Sequence, residues 1–142
     1  MNLRTLIHSA RQHGASDVHL QVGLPPMFRL HGAIVPARGD SMIAEDIESM
    51  LFPLLTDLQR HRLEEQWQTC FSVSFQDTGR ARVTVCRRSG RWELAVRLTE
   101  SKIRTRDELG LPTIIEELAR KPNGIVILTG PTGVGKTTTL TT

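Results

Sequence analysis

The run Ile125-Val126-Ile127-Leu128-Thr129 leads directly into Gly130-Pro131-Thr132-Gly133-Val134-Gly135-Lys136-Thr137. No other feature limits the fold so tightly. A short apolar, β-branched run predicts a buried strand, and the glycines after it predict a loop that opens a helix. The spacing G-x-x-x-x-G-K-T has a chemical logic. Glycines let the backbone curl until successive N–H groups point inward at phosphate oxygens. Lys136 brings a positive charge toward the β- and γ-phosphates, and Thr137 offers a hydroxyl to Mg²⁺. The N-terminus of the helix adds its dipole. ATP and Mg²⁺ are the expected ligands. The expected contact set is Gly130, Pro131, Thr132, Gly133, Val134, Gly135, Lys136, Thr137 and Thr138, with the amides of Thr132 to Lys136 as the cradle.

Only Thr138 to Thr142 follow the motif. A helix over these last residues from Lys136 is about 10 Å long, and isolated helices that short are marginal. An acidic Mg²⁺ ligand and a residue that positions water must come from elsewhere. The expectation is that the chain alone does not hydrolyse ATP and belongs to a longer ATPase.

The 142 residues fit one ordinary domain, or a small domain and the start of another. With 39% hydrophobic and 23% charged residues, a collagen-like, low-complexity or wholly disordered chain is excluded. Eighteen basic and 15 acidic residues leave a net charge of +3. Aromatics are only 4%, with no tyrosine, so no platform for stacking single-stranded bases is present. Nucleic acid is therefore not an expected partner. The apolar runs fall far short of the roughly 20 residues a membrane span needs. The first residues lack the h-region of a secretory signal. Cys70 and Cys86 both lie in strand-like runs, with no disulfide framework in view. These features fit a reducing, cytoplasmic location.

Ahead of the loop, residues 3–13 predict a helix with Leu3, Leu6, Ile7 and Ala10 on one side and Gly14 as its stop. Asp17 to Val22 alternate, with Val18, Leu20 and Val22 on one face and Asp17, His19 and Gln21 on the other. Two short strands follow around Gly32. Residues 43–52 predict a second helix, and Thr56 with Gln59 a capping box for a third through about Gln66. From Thr69 the period becomes two. Phe71, Val73 and Phe75, then Ala81, Val83 and Val85, then Trp92, Leu94, Val96 and Leu98 predict a three-stranded meander. Helices followed by antiparallel strands make an α+β domain over residues 1–98. Residues 99–111 read as a linker, and 112–142 as the start of an α/β nucleotide-binding domain.

Four stretches together resemble a known family. They are Gly14-Ala15-Ser16-Asp17-Val18-His19-Leu20 continuing through His31-Gly32, then Gly79-Arg80-Ala81-Arg82-Val83 through Arg97, then Glu108-Leu109-Gly110-Leu111-Pro112, and Gly124 through Leu140. In this order they are similar to the secretion and type IV pilus ATPases of the GspE/PilT family, most closely the PilT-like twitching-motility (pilus retraction) branch. The resemblance implies a PAS-like N-terminal domain joined to the truncated start of a RecA-like P-loop ATPase domain. It implies a homo-oligomer, a hexameric ring at the cytoplasmic face of the inner membrane, and a pilus or secretion platform protein as partner. The match begins close to Met1, where assembly and secretion members usually carry an extra domain, so the resemblance favours retraction over assembly or secretion if Met1 is the native start. Ala81 stands where the family often has an aromatic, and Val134 where it often has serine. Neither departure touches the phosphate chemistry.

Arg80, Arg82, Arg87, Arg88 and Arg91 crowd one stretch. Arg80, Arg82 and Arg88, like Arg97, alternate away from the apolar face. A solvated sheet face explains that pattern. The resemblance adds that Arg82 and Arg97 approach a nucleotide's γ-phosphate and stabilise charge during transfer. With Lys136 they form the expected catalytic set, and Thr137 the expected metal ligand. His19 shares a face with Asp17, which suits a polar contact or a subunit interface. Trp67 and Trp92 read as core or interface anchors. Two other functions fit the sequence: a non-catalytic assembly module built on residues 1–98, and a nucleic-acid-dependent P-loop NTPase.

Overall fold

The structure, a computed structural model, describes residues 2–99 and 103–142. It divides into two units, Met1–Ser101 and Lys102–Thr142.

In the first unit, α1 covers Leu3–Gln12. Asn2 caps it, its Oδ1 accepting from the Thr5 N–H at 2.9 Å. Gly14 lets the chain leave with φ at 70°, a conformation glycine adopts without penalty. Leu3, Leu6, Ile7 and Ala10 are buried, the side the helical spacing picks out. The strands β1 (Asp17–Leu20), β2 (Met27–Leu30) and β3 (Ala33–Pro36) follow. Next come α2 (Ala44–Leu51), a 3₁₀ turn (Phe52–Leu54) and α3 (Asp57–Gln66). The capping box of α3 forms: Gln59 N–H donates to Thr56 Oγ1 at 3.3 Å, and Thr56 N–H to Gln59 Oε1 at 2.9 Å. The strands β4 (Gln68–Phe75), β5 (Gly79–Arg88) and β6 (Arg91–Leu98) complete the unit.

All six strands join one antiparallel sheet in the order β3-β2-β1-β6-β5-β4. The meander β4-β5-β6 was legible in the alternation. Its fusion with the first three strands, through Val18 opposite Val96 and Leu20 opposite Leu94, was not. One face of this sheet is apolar. Val18, Leu20, Phe28, Phe71, Ala81, Val83, Val85, Leu94 and Val96 are buried on it. The helices pack on the sheet, α1 on β1, α2 on β6 and α3 on β4. Trp92 belongs to this core, whereas Trp67 is 60% exposed and is no core anchor. It ends α3 in the left-handed region at φ 58°.

In the second unit, turns over 106–110 precede α4 (Ile114–Ala119), and α5 (Lys136–Leu140) follows the glycine-rich loop. Arg106 Nε forms an ion pair with Glu116 Oε1 at 2.8 Å and ties the turns to α4. The expected buried strand over Ile125–Thr129 is not formed. That segment has no ladder partner among the described residues, and Ile125 and Ile127 are 88% and 76% exposed. Strand geometry persists only where a neighbour satisfies the backbone N–H and C=O groups. None of residues 103–142 is buried. Among the described residues, no helix is long and apolar enough to cross a membrane.

Candidate functional site

The loop between Thr129 and α5 depends on its glycines. Gly130, Gly133 and Gly135 sit at φ 149°, 84° and 96°, where side chains are strained. A Cβ at Gly130 would also lie 2.9 Å from Val134 Cγ1. Val134 N–H donates to Pro131 O at 3.4 Å and closes the turn. Gly135 is the N-cap of α5, so the amides that open the helix face outward without intrahelical acceptors. Lys136 Nζ folds over the loop and donates to Gly130 O and Pro131 O, both at 2.8 Å. Thr137 and Thr138 are exposed. The backbone nest, the adjoining ammonium and the open amides fit a polyphosphate. For a divalent cation this unit offers the Thr137 hydroxyl. No cluster of three or more His, Cys, Asp or Glu side chains that could hold a metal occurs among the described residues.

In the first unit, the polar face of the sheet carries a second cluster. Register places Ser72, Arg82, Arg97, Asp17 and Arg29 in one row across β4, β5, β6, β1 and β2. Arg82 and Arg97 are direct cross-strand partners. Like charges in that position repel, so the row carries a local cost. Each guanidinium is tied by its Nε. Arg82 Nε donates to Cys70 Sγ at 3.0 Å, and Arg97 Nε to Asp17 Oδ1 at 3.1 Å. No other partner of either side chain occurs among the described residues, so their terminal nitrogens point free. The Arg97 side chain is 76% exposed. Asp17 is only 8% exposed and also accepts from Ser16 Oγ at 2.8 Å and pairs with Arg29 Nε at 3.3 Å. Burial pushes its carboxyl up. The Ser16 and Arg97 hydrogen bonds and the charges of Arg97 and Arg29 outweigh that and hold it below the usual range. The hydrogen bond from Arg82 likewise lowers the Cys70 thiol, against a smaller opposing effect of burial.

Comparison with known proteins places these features. No family model matches the sequence. The type IV pilus retraction ATPase PilT of Pseudomonas aeruginosa is 33% identical over 140 residues, 99% of this chain and 41% of the relative. A twitching motility protein of Neisseria gonorrhoeae is 35% identical over 116 residues, 81% of this chain and 31% of that protein. The crystal structure of the pilus retraction motor PilT with bound ADP superposes with a TM-score of 0.86, at 33% identity, over 99% of this chain and 41% of that one. The chain belongs to the PilT/GspE family of pilus and secretion ATPases. It spans about two fifths of the length of its PilT relative.

Within this family member the arginine-rich stretch splits into parts with different surroundings. Arg82 joins Arg97, whereas Arg80 donates to Ser72 Oγ at 3.5 Å. Arg87 lies over the Trp92 ring at 5.2 Å, and its Nε donates to Gly90 O at 3.3 Å. Arg88 faces Arg91 at the hairpin end. His19 is half-buried, and its Nε2 finds no hydrogen-bond partner among the described residues. Asp17 and Cys70 were not singled out for the site by the sequence. The Ser-Asp-Val-His alternation shows that Asp17 faces out, but only the β1–β6 register brings it to Arg97.

Proposed function

We propose that this chain is the nucleotide-binding part of a motor ATPase that drives type IV pilus retraction or type II secretion. The observation that carries the reading is the glycine-rich loop, with Lys136 folded across its mouth, in a chain similar to a retraction motor solved with ADP. In this reading the PAS-like domain covers residues 1–98 and the linker 99–111. Residues 112–142 begin a RecA-like ATPase domain, whose further strands would cover Ile125–Leu128.

Lys136 swings from the carbonyls of Gly130 and Pro131 onto the β- and γ-phosphates. The amides of Thr132 to Lys136 hold phosphate oxygens, with Gly130, Pro131, Val134 and Thr138 shaping the contact. Thr137 would offer its hydroxyl to Mg²⁺, which would screen phosphate charge when bound. Arg82 and Arg97 face the γ-phosphate of a nucleotide held by a neighbouring subunit of a hexamer and stabilise charge as the phosphoryl group leaves. Hydrolysis moves subunits against one another and against an inner-membrane platform protein, from the cytoplasmic side. The chain alone does not hydrolyse ATP.

The test is ATP hydrolysis by the protein carrying the complete ATPase domain, with and without Lys136→Ala. Loss of turnover on a ring that still assembles is the expected result. Full turnover without the Lys136 ammonium would sink the reading.

A further inference from the structure

We infer that Asp17 is a positioning residue for Arg97, fixing the direction in which that guanidinium meets an anion. The inference rests on the reading of Arg97 as a γ-phosphate ligand.

Four observations carry it. First, Arg97 is a long side chain, 76% exposed, with one described partner, Asp17 Oδ1 at 3.1 Å. An unanchored arginine of that exposure samples many rotamers, and ordering it costs entropy at the moment of binding. Second, the bond is made by Nε, not by the terminal fork. A guanidinium has five N–H donors; this arrangement leaves the four terminal ones for an anion. Third, Asp17 is itself well anchored. It is 8% exposed, sits in the middle strand pairings between β2 and β6, and is bound by Ser16 Oγ at 2.8 Å. Fourth, the carboxylate serves two arginines unequally. Arg29 also pairs with Asp17 at 3.3 Å, but its terminal NH1 donates to Gly32 O at 3.0 Å. Arg29 is thus fastened at both ends and completes the anchor, whereas Arg97 is fastened at one end and aimed outward.

A charge-assisted hydrogen bond of this kind is roughly twice as strong as a neutral one. Asp17 has a further effect. It sets one negative charge beside the Arg82–Arg97 pair, which lessens their mutual repulsion without occupying either terminal fork. Asp17 touches no substrate and acts through Arg97.

The experiment is steady-state ATP hydrolysis by the protein carrying the complete ATPase domain, for Arg97→Ala, Asp17→Ala, Asp17→Asn and the double variant Asp17→Ala/Arg97→Ala. Thermal unfolding of each variant is recorded beside it. Asp17→Ala is expected to lower kcat on the order of tenfold with KM for ATP little changed, the pattern of a lost transition-state contact. Asp17→Asn keeps an oxygen acceptor but not the charge, and is expected to fall between wild type and Asp17→Ala. The double variant should be no slower than Arg97→Ala alone. If Asp17→Ala does not fold, Asp17→Asn decides: reduced kcat at constant KM supports the inference and wild-type kcat overturns it. A normal kcat in folded Asp17→Ala, or losses that multiply in the double variant, overturns the role of Asp17 while that of Arg97 stands. A normal kcat in Arg97→Ala removes the reading of Arg97, and the inference with it. A direct check on the chain itself is the Arg97 Nε–H resonance. It should exchange slowly with water in the wild type and fast in Asp17→Asn; fast exchange in the wild type overturns the inference whatever the kinetics.

Discussion

Asp17, itself nearly buried, keeps its charge between Arg29 and Arg97, and this gives the fold a pH signature. Its folded pKa lies below the unfolded value of 3.8. The ion pairs therefore stabilise the fold above that value, and the benefit is lost as pH falls through the folded pKa. Asp77, paired with Arg4 at 2.9 Å, is shifted in the same direction. The urea midpoint of the wild type should fall between pH 5 and 2. Asp17→Asn should start lower at neutral pH and show a shallower fall, and an unchanged slope would contradict the assignment. The loop glycines make a second case. Alanine at Gly135, where φ is 96°, costs about 1–2 kcal/mol of local strain. Gly135→Ala should weaken nucleotide binding, read by calorimetry, while the main unfolding transition of residues 2–99 stays in place. Residues of this second kind were legible beforehand, because the glycine spacing encodes backbone shape directly. Asp17 was not, because its partners are 12 and 80 positions away, and sequence spacing carries no register between distant strands.

Among the elements, α3 tests how local signals and packing divide the work. Its start is written in the sequence by Thr56 and Gln59, and the reciprocal hydrogen bonds form. Thr56→Ala should cost about 1 kcal/mol. Its attachment to the fold rests on Leu63, the one buried side chain of the helix. Leu63→Ala should cost about 2–5 kcal/mol. Leu58→Ala, at a residue 60% exposed, should shift the denaturation midpoint little. A Leu58 effect as large as that of Leu63 would mean that α3 packs by its other face. The contrast with Ile125–Thr129 explains where pattern reading stops. The sequence predicts structure for both, a capped helix in one case and an apolar β-branched strand in the other. Helix α3 closes its own hydrogen bonds and needs one apolar contact. A strand closes none by itself, so an apolar run becomes a strand only when neighbours supply the ladder. Likewise the alternation of β1 and β6 showed two half-buried strands, yet nothing in either told that Val18 would lie opposite Val96.

At the scale of the molecule, stability and chemistry are unevenly distributed. Among the described residues, the buried hydrophobic ones all lie between Leu3 and Val96. In that unit the apolar sheet face and three helices enclose a continuous core. Among its described residues the second unit has two short helices and no buried residue, yet it holds the glycine-rich loop proposed to bind phosphate. Local opening energies follow buried contacts, from near zero at exposed segments to the global value in a core. Hydrogen exchange should therefore divide the chain. Amides of β5 and β6, in the interior of the sheet, should be protected to the level of global unfolding. Those of Ile125–Leu140 should exchange orders of magnitude faster. Adding ATP with Mg²⁺ should slow exchange first in Gly133–Thr138, where the ligand would take up the open amides. The same logic applies to truncation. A chain ending at Thr99 should keep the sigmoidal thermal transition of the 142-residue chain within a few degrees, because the described buried hydrophobic residues all precede the cut. A loss of cooperativity in the shorter chain would show that residues 103–142 contribute stability their own burial does not reveal.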